Sequence, residues 1–303
     1  MKIYYFGTPK FAVTPLKALA NSAGFKVQAV VTQPDKPGNR GKITPPPVKT
    51  AAEELNLPVL QPQKIDSALI EKIKEDSPDA IIVVAYGGLI PKELLGIPKH
   101  GCINIHPSLL PKYRGASPIQ EALLNGDTET GVAIMKLDEE LDHGGIYMIK
   151  RVPIEKSDTF ETLSYKLAGI SAVMLPFTLK DIENKTLSPI KQDDSRATFC
   201  RKIKKEDGEV DWNRPAQEIL NQIKALNPWP STYTEIKGKK LKILEAMSTP
   251  SETKSTPGTI EVLSKEVFGF HTKDNLLTPT LLQLEGKSEM TTKEFLNGYR
   301  SLL

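Results

Sequence analysis

The chain has 303 residues, 39% hydrophobic and 25% charged, which is ordinary composition for a soluble globular protein and enough length for two cores. No apolar run approaches the ~20 residues of a membrane-crossing helix, the start (Met1 to Pro9) reads as strand and turn rather than signal peptide, and two cysteines, Cys102 and Cys200, make neither a disulfide framework nor a metal set. The net charge of +3 is concentrated: residues 1–183 hold 21 basic and 21 acidic side chains and residues 203–303 hold 14 of each, so the surplus lies in 184–202. A reducing cytoplasm is the expected compartment. Neutral domains without an excess apolar face point to a monomer. The basic stretch suits an anionic partner, although an ordinary solvated linker explains the charge equally well.

Lys2 to Phe6 is a β-rich run that ends at Gly7-Thr8-Pro9, followed by Phe11, Leu16 and Leu19 at helical spacing and by a second strand over Phe25 to Thr32. Strand, turn, helix, strand opens a doubly wound parallel α/β sheet. Gly7 stands without the further glycines of a dinucleotide fingerprint, so no nicotinamide or flavin is expected. Gln33 to Val48 is a long Pro/Gly loop carrying Lys36, Arg40 and Lys42 against Asp35, suited to ordering on a phosphate backbone.

A helix over Lys49 to Asn56, a short strand at Pro58 to Gln61 and a helix over Ser67 to Asp76 lead to Ala80 to Ala85, whose unbroken apolar run predicts a central strand. Tyr86-Gly87-Gly88 follows, a turn where a ligand can approach backbone. Gly101 to His106 is the next strand, and its alternation puts Asn104 and His106 on one face before Pro107 and Pro111 end strand and helix alike. Ser117 and Pro118 start a helix closed by Gly126. Thr130 to Leu137 reads as an alternating strand, Asp138 to Gly145 as an acidic loop, Ile146 to Ile154 as a strand, and Thr159 to Ile182 as a helix interrupted at Pro176. Beyond 203 a helix (Pro215 to Ala225), several short β runs and a final helix (Thr291 to Leu303) suggest a small β-barrel. Lys237, Lys239, Lys240 and Lys242 crowd one hairpin, either as phosphate contacts or as guards of an edge strand.

Asn104, His106 and Asp142 form a coherent chemical set. An amide N–H can hold a developing oxyanion, an imidazole can move a proton near neutral pH, and a carboxylate can orient that ring. No serine or cysteine is an obvious nucleophile, although Ser108 and Cys102 are near in sequence, so direct attack by a second substrate on a bound carbonyl is the natural reading.

The run Asn104-x-His106-x-Ser108-Leu109-Leu110-Pro111, followed by Arg114-Gly115 and Leu141-Asp142-x-Gly144, closely resembles the 10-formyltetrahydrofolate-dependent formyltransferases. Phe6 to Ala12, Val30 to Asp35, Val83 to Gly87, Pro118 to Gln120, Glu129 to Val132, Val210 to Trp212 and Leu226 to Pro230 extend the resemblance over the full chain to the methionyl-tRNA formyltransferase family. The resemblance implies a Rossmann-like formyltransferase domain (1–183), a basic linker (184–202) and an OB-like β-barrel domain that binds tRNA (203–303). It implies formyl transfer from 10-formyltetrahydrofolate to the amino group of initiator methionyl-tRNA, with no metal and no covalent intermediate. Asn104, His106 and Asp142 are the implied catalytic residues; Ser108, Leu109, Leu110, Pro111, Tyr86 and Gly87 the implied folate contacts. Arg40, Lys42, Lys204, Lys205, Lys239 and Lys240 are the implied tRNA contacts. Two alternatives stand beside this: a formyltransferase acting on a sugar-nucleotide amine or purine precursor, and a catalytically silent tRNA- or nucleotide-binding protein on the same fold.

Overall fold

The computed structural model describes residues 1–37, 43–251 and 255–303. The chain forms two compact units: one of Met1–Gly115, Glu129–Pro153 and Ser164–Phe199, the other of Ala116–Thr128, Ile154–Leu163 and Cys200–Leu303. Each unit is therefore discontinuous in sequence.

The first unit is built on seven strands: β1 (Lys2–Gly7), β2 (Lys26–Val31), β3 (Val59–Leu60), β4 (Ala80–Val84), β5 (Cys102–His106), β6 (Glu129–Lys136) and β7 (Ile146–Pro153). They lie in the order β7-β6-β5-β4-β1-β2-β3. The pairs among β1 to β5 are parallel, as expected, but β6 and β7 join antiparallel and make the sheet mixed. Strand β6 is buried at every residue between Glu129 and Lys136 rather than at every second one. It lies between β5 and β7, and a strand without a wet face has no polar side to alternate with.

Three helices, α1 (Val13–Ala20), α2 (Pro47–Glu54) and α3 (Ser67–Asp76), bury Leu16 and Leu19, Val48 and Ala51, and Leu69 and Ile73. Asp66 caps α3 by accepting the Leu69 N–H at 3.0 Å. Tyr4, Phe6, Val31, Ile73, Ile81 and Val83 belong to the core of this sheet. Each such side chain is worth about 1.5–3 kcal/mol on burial. The flanks of the Pro/Gly loop, Lys36–Pro37 and Ile43–Thr44, pair antiparallel, and Lys49 and Gln61 hold Asp35 at 2.8 and 2.6 Å. Arg40 and Lys42 lie outside the described residues.

Ser117 precedes α4 (Pro118–Leu124), as read from sequence, but its side chain makes no capping bond. The long helix α5 (Phe160–Glu183) runs through Pro176 without a break, against the expected interruption. Leu163, Leu167, Leu175 and Leu179 are fully buried along it, and that burial outweighs the one hydrogen bond proline removes. By length and composition alone α5 could cross a membrane; here this apolar row is buried within the fold.

The second unit contains α6 (Ala216–Leu226) and α7 (Thr292–Tyr299) with strands β8 (Thr232–Ile236), β9 (Lys239–Thr249), β10 (Ile260–Val262), β11 (Phe268–His271), β12 (Leu276–Leu284) and β13 (Glu289–Thr291). They form an antiparallel sheet in the order β8-β9-β12-β11-β10, with β13 added to β12. Its core joins Ile219 and Ile223 of α6, Ile243, Phe268, Phe270 and Leu282 of the sheet, and Phe295 of α7.

Candidate active site

Strand β5 is buried throughout, so Asn104 (8% exposed) and His106 (4%) are polar groups held among apolar neighbours. Such groups are costly unless partnered. Their partner comes from the turn between β6 and β7. Asn104 Nδ2 donates to Asp142 Oδ1 at 3.3 Å, and His106 Nδ1 stands 3.6 Å from Asp142 Oδ2. The same Oδ2 accepts the Gly115 N–H at 2.9 Å. The three residues expected from sequence to act together thus meet at the carboxyl end of β5, where open α/β sheets place their sites.

The other ring nitrogen, His106 Nε2, lies 2.8 Å from the Tyr113 carbonyl oxygen. A carbonyl can only accept, so Nε2 carries the hydrogen and Nδ1 of the neutral ring is left with a lone pair facing Asp142. Tyr113 and Asp142 both adopt left-handed backbone, with φ of 62° and 48°. Left-handed backbone at residues other than glycine persists where surrounding contacts hold it, and it clusters at functional sites. Gly144 is required for a different reason: a Cβ there would stand 1.9 Å from the Lys136 carbonyl oxygen.

Neither Cys102 nor Ser108 presents a free nucleophile. Burial pushes the Cys102 thiol up to about 12, and its Sγ donates to the Leu94 carbonyl. Ser108 Oγ, fully buried, donates to the Lys112 carbonyl at 2.6 Å.

The residues expected around a folate divide into two groups. Leu110 packs with Ala133 and Met135, and Leu109 rests against Gly131. Pro111 stands half-buried beside them. Tyr86 instead meets Phe6 edge to face at 5.3 Å, and burial raises its hydroxyl pKa. Its carbonyl accepts from Thr8 Oγ1 at 2.7 Å. Gly87, at φ 79°, has open space where a side chain would stand. An open glycine turn at the end of β4, between β1 and β5, fits approach by a flat ligand.

Two members of the site, Gln192 and Asp194, were missed by sequence reasoning, whereas Arg114 belongs to the motif quoted above. Gln192 donates through Nε2 to the carbonyls of Asp142 and Gly144, both at 2.8 Å, and Arg114 Nε and Nη2 donate to Gln192 Oε1 at 3.0 and 2.9 Å. Arg114 Nη2 also meets Asp194 Oδ1 at 2.8 Å, and this contact holds the Asp194 carboxyl below the usual carboxylate range. His143 Nδ1 lies 2.7 Å from Asp138, its Nε2 3.5 Å from Asp194, and its pKa is raised chiefly by the Asp138 hydrogen bond. In sequence Gln192 and Asp194 belong to a stretch distinguished only by its charge. The only local hint was Arg114, an arginine next to a site glycine.

Of the expected tRNA contacts, Lys204 and Lys205 are exposed around the turn Lys205–Gly208, and Lys239 is exposed in the β8–β9 hairpin. Lys240 lies with Nζ 3.5 Å from the centre of the Tyr233 ring, and Glu235 stands opposite it in register. Among the described residues, no group of three or more His, Cys, Asp or Glu side chains could hold a metal ion.

Known proteins agree with the architecture. Residues 1–179 match the formyl transferase family and residues 202–300 the formyl transferase C-terminal domain. Methionyl-tRNA formyltransferase of Caldicellulosiruptor saccharolyticus is 43% identical, with 99% of this chain and 97% of the relative covered. That of Thermodesulfovibrio yellowstonii is 45% identical over 98% and 95% of the two chains. The structure of an N-formyltransferase from Helicobacter canadensis, solved with folinic acid and dTDP-3-aminofucose, shares the fold at a TM-score of 0.66 and 19% identity, covering 92% of this chain and 98% of that one. Matched by both family models and aligned end to end with relatives above 40% identity, the chain belongs to the formyltransferase family.

Proposed function

We propose that this protein transfers a formyl group from 10-formyltetrahydrofolate to the α-amino group of initiator methionyl-tRNA, giving N-formylmethionyl-tRNA. The observation that carries the reading is the convergence of Asn104, His106 and Asp142 on one point, in a chain with full-length methionyl-tRNA formyltransferase relatives. The bound formyl donor supplies an activated carbonyl; the remaining chemistry belongs to the protein.

Asn104 has two N–H donors on Nδ2. One is directed at Asp142, and the second serves the formyl oxygen as negative charge grows on it. Asp142 is oriented by the N–H groups of Asn104 and Gly115, and it draws the proton from the attacking amine. His106 Nδ1, with its lone pair towards Asp142, shares that proton and returns it to the leaving nitrogen. The N–C bond to the acceptor forms as the bond to the folate nitrogen breaks, and the proton travels from one nitrogen to the other. A high-pKa Cys102 and an inward-bonded Ser108 favour this direct transfer over a covalent enzyme intermediate.

On this reading residues 1–183 hold the reaction, and the lysines at 204, 205, 239 and 240 with Arg40 and Lys42 meet the acceptor stem. Supplying the purified protein with 10-formyltetrahydrofolate and either methionyl-tRNA or a sugar-nucleotide amine tests it. Formylation of methionyl-tRNA is the expected result; formylation of only the sugar amine overturns it.

A further inference from the structure

We propose that Gln192, gripped by Arg114, is a positioning residue that aims the Asp142 carboxylate at Asn104 and His106. The inference rests on the formyl-transfer reading above and adds to it a residue from the segment 184–202.

The geometry is closed on every side. A primary amide has two N–H donors and two acceptor lone pairs, and all four are used here: Nε2 serves the Asp142 and Gly144 carbonyls, and Oε1 receives Arg114 Nε and Nη2. Arginine can only donate, so it fixes which end of the amide faces the 142–144 turn. Gln192 and Arg114 are 5% and 4% exposed, and water does not compete for these bonds. The turn they hold is one a free chain resists, since Asp142 stands at φ 48°.

The next residue after Arg114 completes the brace. Gly115 N–H donates to Asp142 Oδ2, so the dipeptide Arg114-Gly115 controls Asp142 twice, at its carboxylate directly and at its carbonyl through Gln192. Without Gln192 the carbonyls of 142 and 144 lose their donor, the left-handed turn relaxes, and the carboxylate swings from its two partners. A displacement of about 1 Å at a reacting group can cost on the order of 10²-fold in rate.

Gln192→Met keeps the side chain's length and removes every bond; Gln192→Glu keeps an acceptor for Arg114 but presents oxygens to the two carbonyls. Both are assayed for kcat, for KM of each substrate and for the pH–rate profile, in the wild-type and Asp142→Asn backgrounds. Expected are a kcat about 10–100-fold lower with KM within about 2-fold, and a shifted acid limb. In the Asp142→Asn background the further loss stays below about 2-fold, because the group being positioned has already lost its function. An equal fold loss in both backgrounds, or an unchanged kcat, overturns the inference. Should either variant lose cooperative melting, Arg114→Lys carries the same test, since it keeps the charge beside Asp194 but removes the two-armed grip on Oε1. Wild-type protein that formylates no amine overturns the underlying reading instead.

Discussion

The His106 ring gives its Nε2 to the Tyr113 carbonyl at 2.8 Å and is thereby fixed with Nδ1 towards the site. A backbone carbonyl sets the tautomer of this imidazole, and Tyr113 holds that carbonyl in place from left-handed backbone. His106→Gln preserves a donor for Tyr113 but cannot take up a proton. Turnover is expected to fall by about 10²-fold with an unchanged circular dichroism spectrum. Wild-type turnover in this variant would remove His106 from proton transfer.

Asn104→Ala deletes the amide that donates to Asp142 and, under the proposed mechanism, to the formyl oxygen. Removal of one oxyanion donor costs about 10²–10³ in kcat, and the KM for methionyl-tRNA should hardly move. A variant that lost affinity while keeping kcat would show Asn104 to be a binding residue only.

His143 makes the turn around Asp142 sensitive to pH. Its pKa is raised by the Asp138 hydrogen bond and by the charges of Asp138, Glu140 and Asp194. A raised value means that the folded state favours the imidazolium. The closure this provides is complete below the ordinary imidazole value near 6.5 and is lost as pH rises through the higher folded value. Backbone amides of 138–145 should exchange faster above that point than below it, after correction for intrinsic rates. His143→Ala should abolish the step, and a step that survives assigns it to another group.

Lys239→Ala and Lys240→Ala together remove two hairpin charges from the second unit. Apparent KM for methionyl-tRNA should rise, and the slope of its logarithm against that of salt should flatten by about 1–2. An unchanged slope places both lysines outside the tRNA contact. The Lys240 single variant should also lower stability slightly, since its ammonium sits on the Tyr233 ring.

Gly144→Ala puts a methyl group into the Lys136 carbonyl. The turn must open, so both melting temperature and kcat should fall, with β6 and β7 retained. Equal melting temperature and rate to wild type would mean that the strands part at no cost.

Much of the fold and half of the site were legible before any coordinates. Strand β5, its aligned Asn104 and His106, and the breaks at Pro107 and Pro111 all follow from local rules: side-chain alternation and the missing proline N–H. Helix starts near Pro118 and Ala216 and the glycine turn after β4 are local in the same way. What mislead were local rules set against burial. Pro176 did not break α5, and β6 did not alternate, because apolar contact on several sides outweighs a single hydrogen bond or a binary pattern.

The sequence by itself determined the element types, the chemical set Asn104, His106 and Asp142, and through its motifs the family. Only the tertiary structure decided how that set is held. Tyr113 acts through a carbonyl that every residue possesses, so no letter announces it. Gln192 lies 50 positions from Asp142 and 78 from Arg114, in a stretch whose charge drew attention to its lysines and arginines. Hydrogen bonds between distant segments depend on where the fold brings them, and a neutral amide gains its meaning only from the two carbonyls and the guanidinium that surround it.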